Sequence, residues 1–210
     1  MRFLATISSL LALASFCAVA TARSDEQPLK AVAELISQRY CSGDAEVFSV
    51  WLRLRVTYTN QTDKVLILDK EIGKAWYGVR VARSVEDLNA GKYEYNPNID
   101  WFFTDKDSLP KNPSLISAGT DFAILAPGQS FESRIDTSVA VQYESEKAVV
   151  GTIRPGTHVL EMQLSAWNRA GLPSEFEKSW KKGRIVTGLI KTEPIELRVP
   201  TNPTVEEVCK

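Results

Sequence analysis

The chain is poor in the residues that most catalytic and metal chemistry uses. One histidine, three cysteines and two methionines among 210 residues leave little material for transition-metal or histidine-based work. There is no Cys-x-x-Cys pair, no His-Glu-x-x-His run and no glycine-rich phosphate loop, so the common zinc and phosphate signatures are excluded. An excess of one charge is also missing. The 25 basic and 26 acidic side chains leave a net charge of −1, which gives no electrostatic footprint for nucleic acid or an anionic lipid surface. Beyond residue 22 no apolar run approaches the ~20 residues that span a bilayer, so no stable membrane span is expected in the mature chain. What remains is 44% apolar and 24% charged, the composition of an ordinary globular protein without repeats or low-complexity tracts.

The first residues read as a targeting segment. Met1-Arg2 is a short basic start, residues 3–19 are mostly apolar, and Ala20-Thr21-Ala22 places alanine at both positions a signal peptidase reads. Residues 1–22 are therefore expected to be a signal peptide and residues 23–210 one domain in a secreted or periplasmic protein. Lipidation at Cys17 is the rival reading, but Phe16 stands where such signals need a small side chain. Cleavage after Ala22 leaves 188 residues, and since Arg2 is the one charged residue removed, a net charge of −2. Two cysteines remain. In an oxidising compartment Cys41 and Cys209 are most simply a disulfide closing a loop around nearly the whole domain, with free thiols or pairing between chains as alternatives.

The patterning is that of strands. In residues 47–59, Phe48, Val50, Leu52, Leu54, Val56 and Tyr58 share one face, while Ser49, Arg53, Arg55, Thr57 and Thr59 share the other, the period of a half-buried strand. Residues 158–167 alternate likewise, with His158, Leu160, Met162, Leu164 and Ala166 on one face and Glu161, Gln163 and Ser165 on the other. Shorter strands are expected at 65–68, 76–82, 122–125, 131–143, 185–190 and 195–199, with Pro194 marking an edge or a break. Residues 30–40 are read as a first strand, although Leu29, Val32, Ala33, Ile36 and Tyr40 also fit a helical spacing. Short helices are expected after Ser84, ending at Gly91, and after Ser174, ending at Gly183. Asn60-Gln61-Thr62 matches a glycosylation acceptor; asparagine in a tight turn is the plainer reading.

Many short strands with frequent turn signals predict an all-β fold, an antiparallel β-sandwich with one or two short helices in its loops. Gly156-Thr157-His158-Val159-Leu160 resembles the corner of immunoglobulin-like folds, with His158 in the slot of the corner tyrosine and Leu160 in the core slot. Residues 122–133, with their Leu-Ala-Pro-Gly-Gln-Ser turn, resemble the strand–turn–strand before that corner in secreted bacterial immunoglobulin-like and fibronectin-III-like domains. The resemblance covers residues 41–200. It implies an immunoglobulin-like sandwich, His158 as a structural corner, and first and last strands side by side in parallel, which would bring Cys41 near Cys209. It implies no activity, because fold does not carry function.

Among possible chemistries, a Ser–His–Asp hydrolase would have to use His158, and no Gly-x-Ser-x-Gly elbow accompanies it. No pair among the 26 acids is marked for glycoside hydrolysis. The expectation is accordingly no catalysis, no cofactor and no metal. A binding module suits the residues better. Tyr93, Tyr95, Trp101, Phe102 and Phe103 crowd an irregular stretch with Asn96, Asn98 and Asp100, and flat rings beside amide and carboxylate groups suit an unknown protein or carbohydrate partner. The same rings would serve equally to cover an open sheet end. Asp100, Asp105 and Asp107 offer hard oxygens for calcium, or simply solvated charge. Lys178, Lys181, Lys182 and Arg184 around Trp180 read as a docking patch or as charges complementing a helix end. A structural or assembly-associated envelope protein is the alternative to a binding module, with a secreted hydrolase third.

Overall fold

The clearest alternation in the chain becomes the strand at the centre of the sheet. The computed structural model describes residues 27–43, 47–70, 72, 77–97, 122–143, 149–166 and 183–206. Their elements, in chain order, are β1 (Leu29–Ser42), β2 (Val47–Asn60), β3 (Leu66–Asp69), β4 (Tyr77–Ala82), α1 (Val85–Asn89), β5 (Phe122–Leu125), β6 (Ser130–Gln142), β7 (Gly156–Ser165), β8 (Arg184–Ile185), β9 (Leu189–Glu193) and β10 (Ile195–Val199). The protein is mostly strand, as an all-β chain should be. β10, β7, β9, β1, β2 and β6 lie in that order in one curled sheet, β4 adds to β7, and β5, β3 and β8 form a small second sheet.

β2 buries Phe48, Val50, Leu52, Leu54, Val56 and Tyr58 and turns Trp51 and Arg53 outward. Its neighbours β1 and β6 are both antiparallel to it along nearly their whole length. Opposite them the inner face of β7 contributes His158, Leu160, Met162 and Leu164 to the same core, as its alternation predicts. The Tyr58 hydroxyl meets Ser133 Oγ at 3.1 Å, and burial pushes its pKa up to about 12.

β1 is a strand throughout, and its helix-like spacing has a local cause. Leu35 pairs with Leu54 while Ser37 pairs with Arg53, so Ile36 is an extra residue without a counterpart on β2. The bulge shifts the phase of the alternation: Leu29, Ala31 and Ala33 face the core before it, and Tyr40 packs against the core after it. β1 runs parallel to β9 through Ala31–Thr192 and Val32–Glu193, and Cys41 bridges in parallel to Glu206. The strand beside β1 in the expected parallel direction is thus the penultimate one, β9; the last strand, β10, pairs antiparallel with β7 and is not a neighbour of β1.

The chain end also departs from the expected strand boundaries. The strand expected over 185–190 is divided by Gly188, whose φ of +88° breaks the extended backbone and separates β8 from β9. Pro194 then splits β9 from β10. Where β9 leaves β7 to pair with β1, the Thr192 hydroxyl accepts the Met162 N–H at 3.0 Å in place of a backbone carbonyl.

Two side-chain devices finish the fold. Asn60 is buried; its Nδ2 donates to the carbonyls of Lys64 and Leu125, and its Oδ1 accepts from the Thr62 N–H and hydroxyl. That is the turn reading of Asn60-Gln61-Thr62, and the amide is fully occupied in tying β2 to the small sheet. Along the edges of the curled sheet, Tyr77 Oη donates to the Asp136 carbonyl at 2.9 Å and Tyr95 Oη to that of Ser138 at 3.5 Å, so hydroxyls from the β4 side cap the edge of β6. α1 is capped by Ser84, which accepts the Asp87 N–H, and stops before Gly91 at φ +73°. The second expected helix lies outside the described residues. No helix among the described residues is long and apolar enough to cross a membrane.

Candidate functional site

The aromatic group expected to form one contact surface is divided. Tyr95 packs against the core, and its backbone pairs with Val81 on the edge of β4. The ring of Tyr93 lies under the Arg80 guanidinium, 4.8 Å from ring centroid to Cζ. Both therefore have structural partners. Trp101, Phe102 and Phe103 lie outside the described residues, as do Asp100, Asp105, Asp107, Lys178, Lys181 and Lys182.

His158 is fully buried at the start of β7. Its Nε2 is 2.7 Å from the Arg154 carbonyl, four residues upstream, and its Nδ1 is 2.8 Å from Glu94 Oε2. Glu94 in turn takes the Arg83 Nε at 2.6 Å. Both ring nitrogens thus have oxygen partners, and the ring ties β7 to the 94–95 segment and to its own corner. Cys41 is buried on the outer side of β1, and the chain around Glu206 runs alongside it: Ser42 N–H donates to the Glu206 carbonyl and Glu206 N–H to that of Tyr40, both at 2.8 Å. Cys209, three residues further on, lies outside the described residues.

The sequence reading missed the surface that the bulge creates. Unbroken alternation from Leu29 would send Ser37 and Arg39 inward. The extra Ile36 instead brings them onto the outer face, opposite Arg53 and Trp51 respectively. On the other flank, β6 sets Asp136 opposite Arg53 and Ser138 opposite Trp51. Ser37, Arg39, Trp51, Leu52, Arg53 and Asp136 line a hollow of about 70 Å³. Trp51 is 37% exposed, high for a side chain of its size and apolarity. Its rim is held in place: Arg53 grips Asp136 with two parallel hydrogen bonds, Nε–Oδ1 at 2.8 Å and Nη2–Oδ2 at 3.2 Å. That grip, with Arg39 nearby, holds the Asp136 carboxyl below the usual carboxylate range. Arg39 also reaches Glu206 at 3.9 Å. A flat ring, fixed donors and a fixed carboxylate surround one shallow depression. No isolated pattern in the sequence announces it, since Trp51 occupies an outward slot of a regular strand.

A second polar group lies on the outer face of β4, β7 and β9. Arg80 stands opposite Glu161, Gly78 opposite Gln163, and Lys191 opposite Gln163 from the other side. Arg80 Nη1 approaches Glu161 Oε1 only to 3.7 Å. Burial pushes the Glu161 carboxyl up, against the pull of Lys191, Arg80 and the Gln163 amide. Among the described residues no cluster of three histidine, cysteine or acidic side chains is placed to hold a metal ion. No protein-family model and no curated protein matches this chain.

Proposed function

We propose that this protein is an exported, non-catalytic binding module of immunoglobulin-like sandwich type that takes a carbohydrate in the hollow at Trp51. The observation that carries the reading is the bulge at Ile36, which brings Ser37 and Arg39 beside Trp51 and Arg53. A pyranose ring offers an apolar C–H face and adjacent hydroxyls. An exposed indole suits the first, and the rigid Arg53–Asp136 pair, with donors and an acceptor in one plane, suits the second. A small depression with one aromatic platform also fits a sugar better than a protein surface, which needs about 800 Å² from each partner. The commitment of both His158 nitrogens to Glu94 and Arg154 supports a binding role over a hydrolytic one. Export is supported by the pattern of residues 1–22. A Cys41–Cys209 disulfide is supported by the parallel bridge between Cys41 and Glu206, which brings the chain end to the buried cysteine.

An array of immobilised oligosaccharides probed with the intact protein and with Trp51→Ala tests the reading. Retention by a subset of glycans that Trp51→Ala loses, at an unchanged melting temperature, is the expected result. Equal retention by both proteins, or by no glycan at all, overturns it. The structural alternative draws on Tyr77 and Tyr95, whose hydroxyls serve sheet closure; an intact Trp51 surface without any ligand would favour it.

A further inference from the structure

We propose a second, separate site: a niche for a small carboxylate on the outer face of β4, β7 and β9, seated on the Nε edge of Arg80 and the side-chain amide of Gln163 over the bare position Gly78. Among the described residues two buried side-chain polar atoms have no hydrogen-bond partner within normal geometry, Arg80 Nε and Gln163 Nε2, although the Gln163 amide pulls on the Glu161 carboxyl beside it. They are not scattered. Arg80 faces Glu161 across the β4–β7 ladder, and Gln163 is the next residue on the same face of β7. Gln163 is only 3% exposed, so water from bulk solvent does not meet its amide freely. A buried donor left unmet costs about 1–3 kcal/mol, and two such groups side by side ask for a common explanation.

Both unmet groups are N–H donors, so what they lack is an acceptor. The Nε edge of a guanidinium presents its donors in a plane that matches the two oxygens of a carboxylate. Charge points the same way. Arg80 and Lys191 carry two positive charges against one on Glu161, so a single further negative charge brings the group to neutrality and a dianion overshoots it.

Gly78 is buried, carries no side chain, and stands directly opposite Gln163 and two residues from Arg80 on the same face. Its φ is not positive, so the backbone does not require glycine there. Glycine inside a strand, without a conformational reason, marks a close approach by something else. The Tyr93 ring packs against the Arg80 guanidinium and restrains it.

The test uses the 15N-labelled protein titrated with sodium acetate against sodium chloride at matched pH and ionic strength, following the Gln163 side-chain amide and the Arg80 Nε–H. Saturable shifts of both signals with acetate and neither with chloride are expected. Gly78→Ala, which adds one methyl group and keeps every donor, should weaken acetate binding about tenfold, equivalent to 1.4 kcal/mol. Lys191→Gln should weaken it as well, by removing the second positive charge, and serves if Gly78→Ala fails to fold. No saturable shift, or an undiminished acetate response in the folded variant, overturns the proposal and leaves an ordered water as the partner of the two donors. Sulfate binding as tight as acetate overturns the carboxylate assignment. Failure of this niche says nothing about the hollow at Trp51, which shares no residue with it.

Discussion

Two carboxylates on the outer side of one sheet each face an arginine, and they respond in opposite directions. Asp136, on the open face of β1, β2 and β6, is gripped by Arg53 through two hydrogen bonds, and its pKa falls. Glu161, on the covered face of β4, β7 and β9, has Arg80 at 3.7 Å and Lys191 near, yet its pKa rises. The difference is solvent and geometry. At the open face water still solvates the pair and the contact is short and bidentate, so the opposite charge dominates. On the covered face the loss of hydration exceeds the attraction across a longer gap. The same pairing of residue types therefore builds a rigid, wettable rim in one place and a buried polar group with unmet donors in the other. This is the physical ground for assigning the first to a hydroxyl-rich ligand and the second to an anion.

The largest effect expected on this contrast comes from Cys41→Ser. If the chain end is bridged to Cys41, losing a loop of that length lowers stability by about 4 kcal/mol and loosens Glu206 from Arg39; equal melting of both proteins in oxidising buffer would sever the chain end from the open face. Trp51→Ala comes next. It should weaken glycan binding by at least about tenfold while changing stability by less than about 1 kcal/mol, because the ring is partly in water. A large stability loss without a binding change would move Trp51 into the structural class. On the covered face Gln163→Leu should stabilise the ligand-free protein by about 1 kcal/mol, since it deletes a buried donor that lacks a partner. A drop of that size in urea midpoint would mean that the amide is satisfied in solution.

The pH dependence of the two carboxylates should separate the faces by sign. The folded pKa of Asp136 is lowered, so its contribution is present above the usual carboxylate range and is lost as pH falls through its folded value. Asp136→Asn should thus be less stable than the parent at neutral pH and level with it in strong acid. The folded pKa of Glu161 is raised, so the stability linked to it is present below the usual glutamate range and is lost as pH rises through its folded value. Glu161→Gln should gain on the parent toward neutral pH and match it in acid. Urea midpoints across that range check both, and two variants moving in the same direction would erase the contrast. The smallest effect belongs to Arg53→Lys, which keeps the charge but loses the two-pronged grip; at so exposed a pair the urea midpoint is expected to stay at the parent value.

Much of this architecture was legible in the chain because strands with one buried face write themselves as a period of two. β2, β6 and β7 fall where that period places them, and α1 follows its Ser84 cap. β1 was the ambiguous element. One extra residue at Ile36 interrupts the alternation, and the interrupted pattern also fits a helical spacing. The hollow at Trp51 was not legible for the same reason, since only the pairing of Ser37 with Arg53 reveals which way Ser37 and Arg39 turn. The aromatic cluster was legible as composition and not as geometry: the pattern marks Tyr93 and Tyr95, and only neighbours from β4 and β6 show that one lies under Arg80 and the other caps Ser138.

By itself the sequence determined which segments extend, which faces they bury and where the chain must turn, because those properties depend on spacing along a few residues. Tertiary structure alone decided that Gly78 and Gln163 stand opposite one another, that Glu161 is largely covered while Asp136 is open to water, and that Asn60 belongs to the interior. Each of these depends on which strand lies alongside and what covers the face. Solvent exposure is a property of the assembled neighbourhood, and no local pattern of residues encodes it.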